Sequence, residues 1–274
     1  MSLVVCPTPI GNLEDVTLRV LSALREADVV ACEDTRRTRT LLDRYGVSAS
    51  LLSYHEHNEE RRSEELVKRM QGGDTVALVS DAGMPLVSDP GYVLVRACVD
   101  AGLPVEVLPG PSAAMAALVA SALPADRWRF VGFLPRKKGE LKKVLSEPGG
   151  TMVAFESPRR IPATLGLLAE MEPVREVAVC RELTKMHEEV VRGSATELAA
   201  RYAGAPPKGE VVLVLGPSGS PGGPGSDPGS GGAVAGLEQV RRLVKAGAKP
   251  RVAASAVAEL TGGSANALYA ALTE

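Results

Sequence analysis

Two adjacent carboxylates followed by closely spaced cations, Cys32-Glu33-Asp34-Thr35-Arg36-Arg37-Thr38-Arg39, form the most chemically suggestive cluster in this chain of 274 residues. They follow a short apolar run ending at Cys32, so Glu33 and Asp34 are expected where a strand ends, the place that meets ligands in open α/β sheets. A carboxylate there can take a proton from a hydroxyl nucleophile. It can equally pair with Arg36 and Arg37, and Thr35 can cap the helix that follows. Lys185, in Arg181-Glu182-Leu183-Thr184-Lys185, is a third candidate base, provided that burial or neighbouring positive charge lowers its pKa. Tyr54-His55-Glu56-His57-Asn58 sets two histidines at i and i+2, one face of a strand, but offers no third ligand nearby, so no metal site is expected. Asn58 reads as a helix cap.

Three loops rich in Gly and Pro add a binding surface: Pro7-Thr8-Pro9-Ile10-Gly11-Asn12, the stretch from Ser80 to Gly91 (SDAGMPLVSDPG), and Pro109-Gly110-Pro111-Ser112. Glycines permit close approach of a ligand to the backbone and prolines stiffen the chain. In the second loop, Asp89 reads as an N-cap and Pro90 as the first helical residue, opening a helix at Gly91; in the third, Ser112 reads as the cap of an Ala-rich helix. Neither a P-loop (GxxxxGK[ST]) nor the dinucleotide fingerprint GxGxxG after the first strand is present, which removes the common nucleotide-hydrolase and NAD readings.

The elements that must position these loops are legible as an α/β pattern. Apolar runs at Leu3-Cys6, Val29-Cys32, Thr75-Val79, Val105-Leu108, Phe130-Phe133, Met152-Phe155, Val177-Cys180 and Val211-Leu215 alternate with helical periodicity, for example over Thr17–Ala27 and Asn58–Met70. Runs such as VVAC are apolar throughout, as strands covered on both faces require. A seam near Ala122–Arg127 predicts two α/β subdomains, 1–122 and 123–215, with a mixed sheet in the second, where HEEVVRG and GEVVLVLG read as neighbouring strands. Residues 216–236 start with a run of Gly, Pro, Ser and one Asp that cannot bury apolar surface; this is expected to be a flexible linker with a reach of about 20 to 25 Å. It leads to a small tethered helical module at 237–274.

Composition narrows the functions further. Lys+Arg 31 against Asp+Glu 33 leave a net charge of -2, so any nucleic-acid binding must rest on local basic clusters. These exist: Arg36 and Arg37; Arg136, Lys137 and Lys138; Arg159 and Arg160; and Arg241, Arg242 and Arg251 in the tail. Aromatic residues make up only 3%, too few for a base-stacking platform. Four scattered cysteines without a CxxC pair argue against zinc or redox motifs and suit a reduced cytoplasm, and the chain shows neither a signal peptide nor a membrane-spanning apolar run.

The runs PTPIGNLEDVTLRVL, EDTRRTRTLL, HEHN, ALVSDAGMPLVSDPGY, LPGPSAA, GFLPRK, FESPRR and RELTKMHEE, in this order, resemble the bacterial 16S ribosomal RNA cytidine 2′-O-methyltransferases of the tetrapyrrole-methylase (class III) superfamily. The resemblance covers residues 3 to 216 and resumes in KPRVAASAVAELTGGSANALYAAL. It implies S-adenosylmethionine in a cleft between the two subdomains, held by Pro9, Ile10, Gly11, Asp81, Gly83, Met84, Pro85, Ser112, Ala113 and Glu156. It also implies a homodimer that methylates the ribose of the cytidine at position 1402 of 16S rRNA in the small ribosomal subunit. Two other readings share the fold: C-methylation of a tetrapyrrole or corrin precursor, which needs no basic clusters or tail, and a non-catalytic RNA-binding assembly factor, which need not bind the donor. The chain has Pro7-Thr8-Pro9-Ile10-Gly11 where the wider superfamily has a GxGxG-like turn, which weighs against the tetrapyrrole substrate.

Overall fold

The computed structural model describes residues 1–218, 231–261 and 265–273; the central part of the linker reading, residues 219–230, lies outside the described residues. The first half folds as β1 (Ser2–Cys6), α1 (Leu18–Glu26), β2 (Val29–Cys32), α2 (Thr35–Arg44), β3 (Leu51–Ser53), α3 (Glu59–Gln71), β4 (Thr75–Val79), α4 (Tyr92–Asp100), β5 (Val105–Val107) and α5 (Ala113–Ser121). Its five strands form one parallel sheet in the order β3-β2-β4-β1-β5. Both faces of that sheet are covered, one by the cluster around Val20, Leu24 and Leu42, the other by that around Leu66, Met70 and Leu94. This is why β1, β2 and β4 read as unbroken apolar runs. The three-residue β3, half-buried throughout, was not foreseen.

The second half comprises β6 (Trp128–Phe133), α6 (Lys138–Ser146), β7 (Thr151–Glu156), α7 (Ile161–Met171), β8 (Glu176–Arg181), β9 (Glu189–Ser194), α8 (Ala195–Tyr202) and β10 (Val211–Leu215). The sheet is mixed, in the order β6-β7-β10-β8-β9. β6 and β7 are parallel; β10 runs antiparallel to both β7 and β8, and β9 antiparallel to β8. The expected adjacency of β9 and β10 is therefore corrected: β9 closes a hairpin with β8, and β10 inserts on the other side of β8, where its five buried residues are covered on both faces.

Helix α5 joins the halves. Its sequence is apolar nearly all round, and one face is buried while Met115 and Val119 on the other stay exposed. Although it follows the first sheet in the chain, it packs on β7, β8 and β10, with Ala114, Ala117 and Leu118 buried against Val153, Ala178, Cys180, Val212 and Val214. It ends at Ala122 in the left-handed conformation (φ 58°). At the far end of the second sheet the guanidinium of Arg175, 2% exposed, donates to the carbonyls of Gly216 and Leu145 (2.8 Å each) and to Glu172 (3.4 Å).

The tail forms α9 (Gly231–Lys245), α10 (Pro250–Thr261) and α11 (Ala265–Thr273), packed around Val240, Ala254, Val257 and Leu268. Helix α9 begins at Gly231, so its first six residues come from the stretch read as linker.

Candidate active site

The loop after β1 is fastened on two sides. Thr8 exchanges backbone hydrogen bonds with Gly83 (2.8 and 2.9 Å), and its hydroxyl donates to the Ser80 carbonyl (2.9 Å), tying it to the loop after β4. The Asn12 amide donates to the Thr184 hydroxyl (3.0 Å), tying it to the β8–β9 loop of the other subdomain. Gly11 is required here: a Cβ at this position would lie 2.5 Å from Lys185 Cγ and 3.0 Å from the Leu183 carbonyl. Gly83, with φ 81°, adopts a backbone conformation that other residues rarely reach.

Between the sheets, these loops enclose a cavity of about 380 Å³, within the size range of small-molecule sites. Of the residues assigned to donor binding, Ile10, Asp81, Gly83, Met84, Ser112, Ala113 and Glu156 line it. Pro9 and Pro85 are buried behind the wall, and Gly11 serves the contact between subdomains. Glu156 is part of the wall's framework: its oxygens accept from the Ser157 amide (2.7 Å) and the Thr164 hydroxyl (2.8 Å) and face Arg160 (3.3 Å). The second sheet contributes Phe133, Phe155, Cys180, Leu183, Gly209, Glu210, Val211 and Val212, none foreseen. Their common signal is position, at or beside strand ends. Burial pushes the Cys180 thiol up to about 11, so it presents neutral sulfur surface.

The candidate bases separate clearly. Asp34, rather than Thr35, caps α2, and its carboxylate also grips its neighbour, accepting from the Arg36 amide (2.8 Å) and guanidinium (2.7 Å). The Arg36 side-chain bond, reinforced by the backbone bond, holds its pKa near 2, which makes it a weak proton acceptor. Lys185 donates to Glu182 and Glu210 (3.0 Å each). Burial alone pulls its ammonium down, but these two bonds outweigh it and leave the pKa raised, the opposite of what a basic amine requires. Glu33 does line the cavity, and burial, then the charge of Asp81, raises its pKa.

A further carboxylate, Asp89, reads in the sequence as a helix cap. The helix after the SDPG sequence starts at Tyr92 with Gly91 (φ 137°) at the cap position, and Asp89 instead lines the cavity with Glu33 and Asp81. Burial, and then the charge of Glu33, push its pKa from 3.8 to about 6, against an opposing hydrogen bond from Ser80. A carboxyl raised in this way binds more protons in the folded than in the unfolded state, so stability falls as pH rises from about 4 to about 6 and the penalty is complete above that. Discounted for partial exposure, the penalty is about 1 kcal/mol. Asp89→Asn is therefore expected to raise the thermal midpoint at pH 7 by about 3 °C, and to change it little at pH 3, in paired calorimetric scans.

The basic residues divide as well. Arg37 lines the cavity and faces Asp81 (3.5 Å), while Arg36 is exposed apart from its pairing with Asp34. Arg136, Lys137, Lys138 and Arg159 are exposed. Arg160 does not fit a free RNA-contacting role, because its guanidinium is spent on the carbonyls of Leu134 (3.0 Å) and Pro135 (2.5 Å) and on Glu156. In the tail, Arg241, Arg242 and Arg251 are exposed, and Arg251 stacks 5.2 Å from the centre of the Tyr269 ring. Asn58 precedes α3, but its side chain braces the histidine loop, accepting from the His55 amide (2.9 Å) and donating to the Ser53 carbonyl (3.2 Å). Among the described residues, no group of three or more His, Cys, Asp or Glu side chains is placed to hold a metal ion, and no helix is long and apolar enough to cross a membrane.

Residues 2–199 match the family model of the tetrapyrrole (corrin/porphyrin) methylases. The chain belongs to the tetrapyrrole methylase family. Within it, the chain is 46% identical over 273 residues to the ribosomal RNA small subunit methyltransferase I of Mesorhizobium japonicum, covering 97% of this chain and 90% of that protein. The methyltransferase of the same name from Thermotoga maritima is 45% identical, with 78% of this chain and 97% of that protein covered. Among solved structures of the tetrapyrrole methylase fold, uroporphyrin-III C-methyltransferase from Thermus thermophilus, complexed with S-adenosylhomocysteine, aligns with a TM-score of 0.56 at 20% identity, covering 79% of this chain and 97% of that one. The two-subdomain α/β fold with a helical C-terminal region is thus shown, as is methyltransferase membership.

Proposed function

We propose that the protein is an S-adenosylmethionine-dependent methyltransferase of small-subunit ribosomal RNA, acting on the ribose 2′-oxygen of the cytidine at position 1402 of 16S rRNA. The observation that carries the reading is the cavity between the subdomains, walled by the same loops that bear the family motifs, in a chain whose near full-length relatives are named for rRNA methylation. The wall suits the donor. Ile10, Phe155, Leu183 and Val212 offer apolar surface for a flat base; Asp81 offers negative charge toward a cationic amino acid with its sulfonium; and Gly83, Ser112 and Ala113 let backbone approach closely. When bound, S-adenosylmethionine supplies an electrophilic methyl group. The protein's share is to orient the donor, exclude water and accept a proton from the incoming hydroxyl; orientation alone can supply about 7 to 11 kcal/mol of such a barrier.

The exposed cations Arg36, Arg136, Lys137, Lys138 and Arg159, with Arg37 at the cavity, supply phosphate contacts from both subdomains, and Arg241, Arg242 and Arg251 supply them from the tail. The same reading carries a cytoplasmic setting, which suits four buried, unpaired cysteines, and the homodimer that the family resemblance implies. The test is methyl transfer from labelled S-adenosylmethionine to purified 30S and 50S subunits. Label is expected in the RNA of the 30S subunit alone; label in neither, with donor binding intact, would refute the substrate.

A further inference from the structure

We infer that the Asp89 carboxylate receives the proton of the ribose hydroxyl during methyl transfer, with Glu33 as its electrostatic tuner; the inference rests on the methyl-transfer reading above. Five carboxylates line the cavity: Glu33, Asp81, Asp89, Glu156 and Glu210. Three are committed to the framework. Asp81 accepts from the Asp34 amide (3.0 Å) and faces Arg37, Glu156 is held by Ser157, Thr164 and Arg160, and Glu210 binds Lys185. Among the described residues, Glu33 and Asp89 form no ion pair within 4 Å, and the Glu33 charge bears on Asp89.

The backbone holds Asp89 in place at a cost. Leu86 (φ 73°) and Ser88 (φ 66°) occupy the left-handed region without being glycine, and Gly91 follows at φ 137°. A Cβ on Gly91 would lie 2.8 Å from Leu86 Cδ1 and 3.0 Å from Leu78 Cδ2, so the loop is packed down onto the sheet. From the other subdomain, Gly132, at the bulge of β6, approaches Ser88: its Cβ would sit 3.5 Å from the Ser88 hydroxyl. Conformational strain of this kind persists where the surroundings over-determine it, and it clusters at functional sites. Here the result is to turn one carboxylate into the cavity and away from the capping position its sequence context favours.

The groups facing Asp89 also suit it to the task. Glu33 and Asp81 are negative, the Ser80 hydroxyl nearby donates to the Gly83 carbonyl (3.1 Å), and Arg37 is engaged by Asp81; across the cavity stand Glu156 and Glu210. Burial and the Glu33 charge bring Asp89 to about 6, so that near neutral pH the carboxylate is both largely ionised and basic enough to act. In the step itself, the ribose oxygen forms a bond to the methyl carbon as the carbon–sulfur bond breaks, with that bond's electron pair staying on sulfur. The O–H bond breaks, and the proton passes to Asp89 and then to water.

The experiment uses the full chain with S-adenosylmethionine and 30S subunits. Asp89→Asn is expected to slow single-turnover transfer at pH 7.5 by about 100-fold or more while leaving donor affinity within about twofold. The wild-type rate should fall tenfold per pH unit below about 6. Glu33→Gln, which removes a negative charge beside Asp89, should move that limb to lower pH. A readout independent of turnover is the ¹³C carboxyl resonance of Asp89, identified by its absence from the Asn variant, which should titrate near 6 in the donor-free protein and lower in Glu33→Gln. Transfer by Asp89→Asn within threefold of wild type would overturn the assignment, as would an acid limb and resonance that Glu33→Gln leaves in place. A wild-type protein that methylates no RNA would overturn the underlying reading instead, and is recognised by failing before any variant is compared.

Discussion

Replacing Ala113 with phenylalanine is expected to weaken S-adenosylmethionine binding by at least about 100-fold, equivalent to about 2.7 kcal/mol, while leaving the thermal midpoint almost unchanged. Ala113 is the first residue of α5 and lines the cavity next to Ser112, where the helix N-terminus meets the donor space. Its methyl group marks the wall between a close-packed interior and an open volume, so a larger side chain extends into the volume rather than into the core. A phenyl ring there takes up a substantial part of about 380 Å³ and competes directly with the ligand. Titration calorimetry on both proteins, with scanning calorimetry as the control for folding, reads the effect. Wild-type affinity in a folded Ala113→Phe protein would place the donor elsewhere.

The second large effect is on stability. Arg175→Ala should cost about 3 kcal/mol and lower the thermal midpoint by roughly 10 °C. The side chain is almost wholly enclosed, and its guanidinium satisfies the carbonyls of Gly216 and Leu145 together with Glu172. Truncation leaves these acceptors without their donor in a place water reaches poorly, and each such loss costs about 1 to 3 kcal/mol. Arg175→Met separates the causes, since it refills the space without restoring a donor. A Met variant as stable as wild type would show that packing, rather than hydrogen bonding, is what Arg175 contributes.

What the amino-acid sequence reveals here follows the physics of burial. β1, β2, β4, β8 and β10 were legible because both faces of each are covered, which writes an uninterrupted apolar run. β3 has three half-buried residues and leaves no such mark. The order of the second sheet is not legible, because proximity along the chain favours pairing β9 with β10, whereas β10 gains more by entering between β7 and β8. At the site, the Gly- and Pro-rich loops pointed to Ile10, Gly83, Met84, Ser112 and Ala113, all of which reach the cavity. The wall formed by Phe133, Phe155 and Val212 carries no polar signature and becomes visible only once the two sheets face each other. Asp89 was concealed by a plausible local rule: an Asp before Pro is a good helix start, and only tertiary packing places Leu86 and Ser88 at positive φ and delays the helix to Tyr92.

The most direct test of the account is where the methyl group ends up. A ribose 2′-oxygen that carries a methyl group can no longer attack the adjacent phosphate, so alkali leaves that linkage intact. After incubation of 30S subunits with the protein and methyl-labelled S-adenosylmethionine, alkaline hydrolysis of the 16S rRNA is expected to leave the label in one alkali-resistant dinucleotide that begins with cytidine. Label released on mononucleotides, as base methylation would give, or no label in the RNA at all, would contradict it.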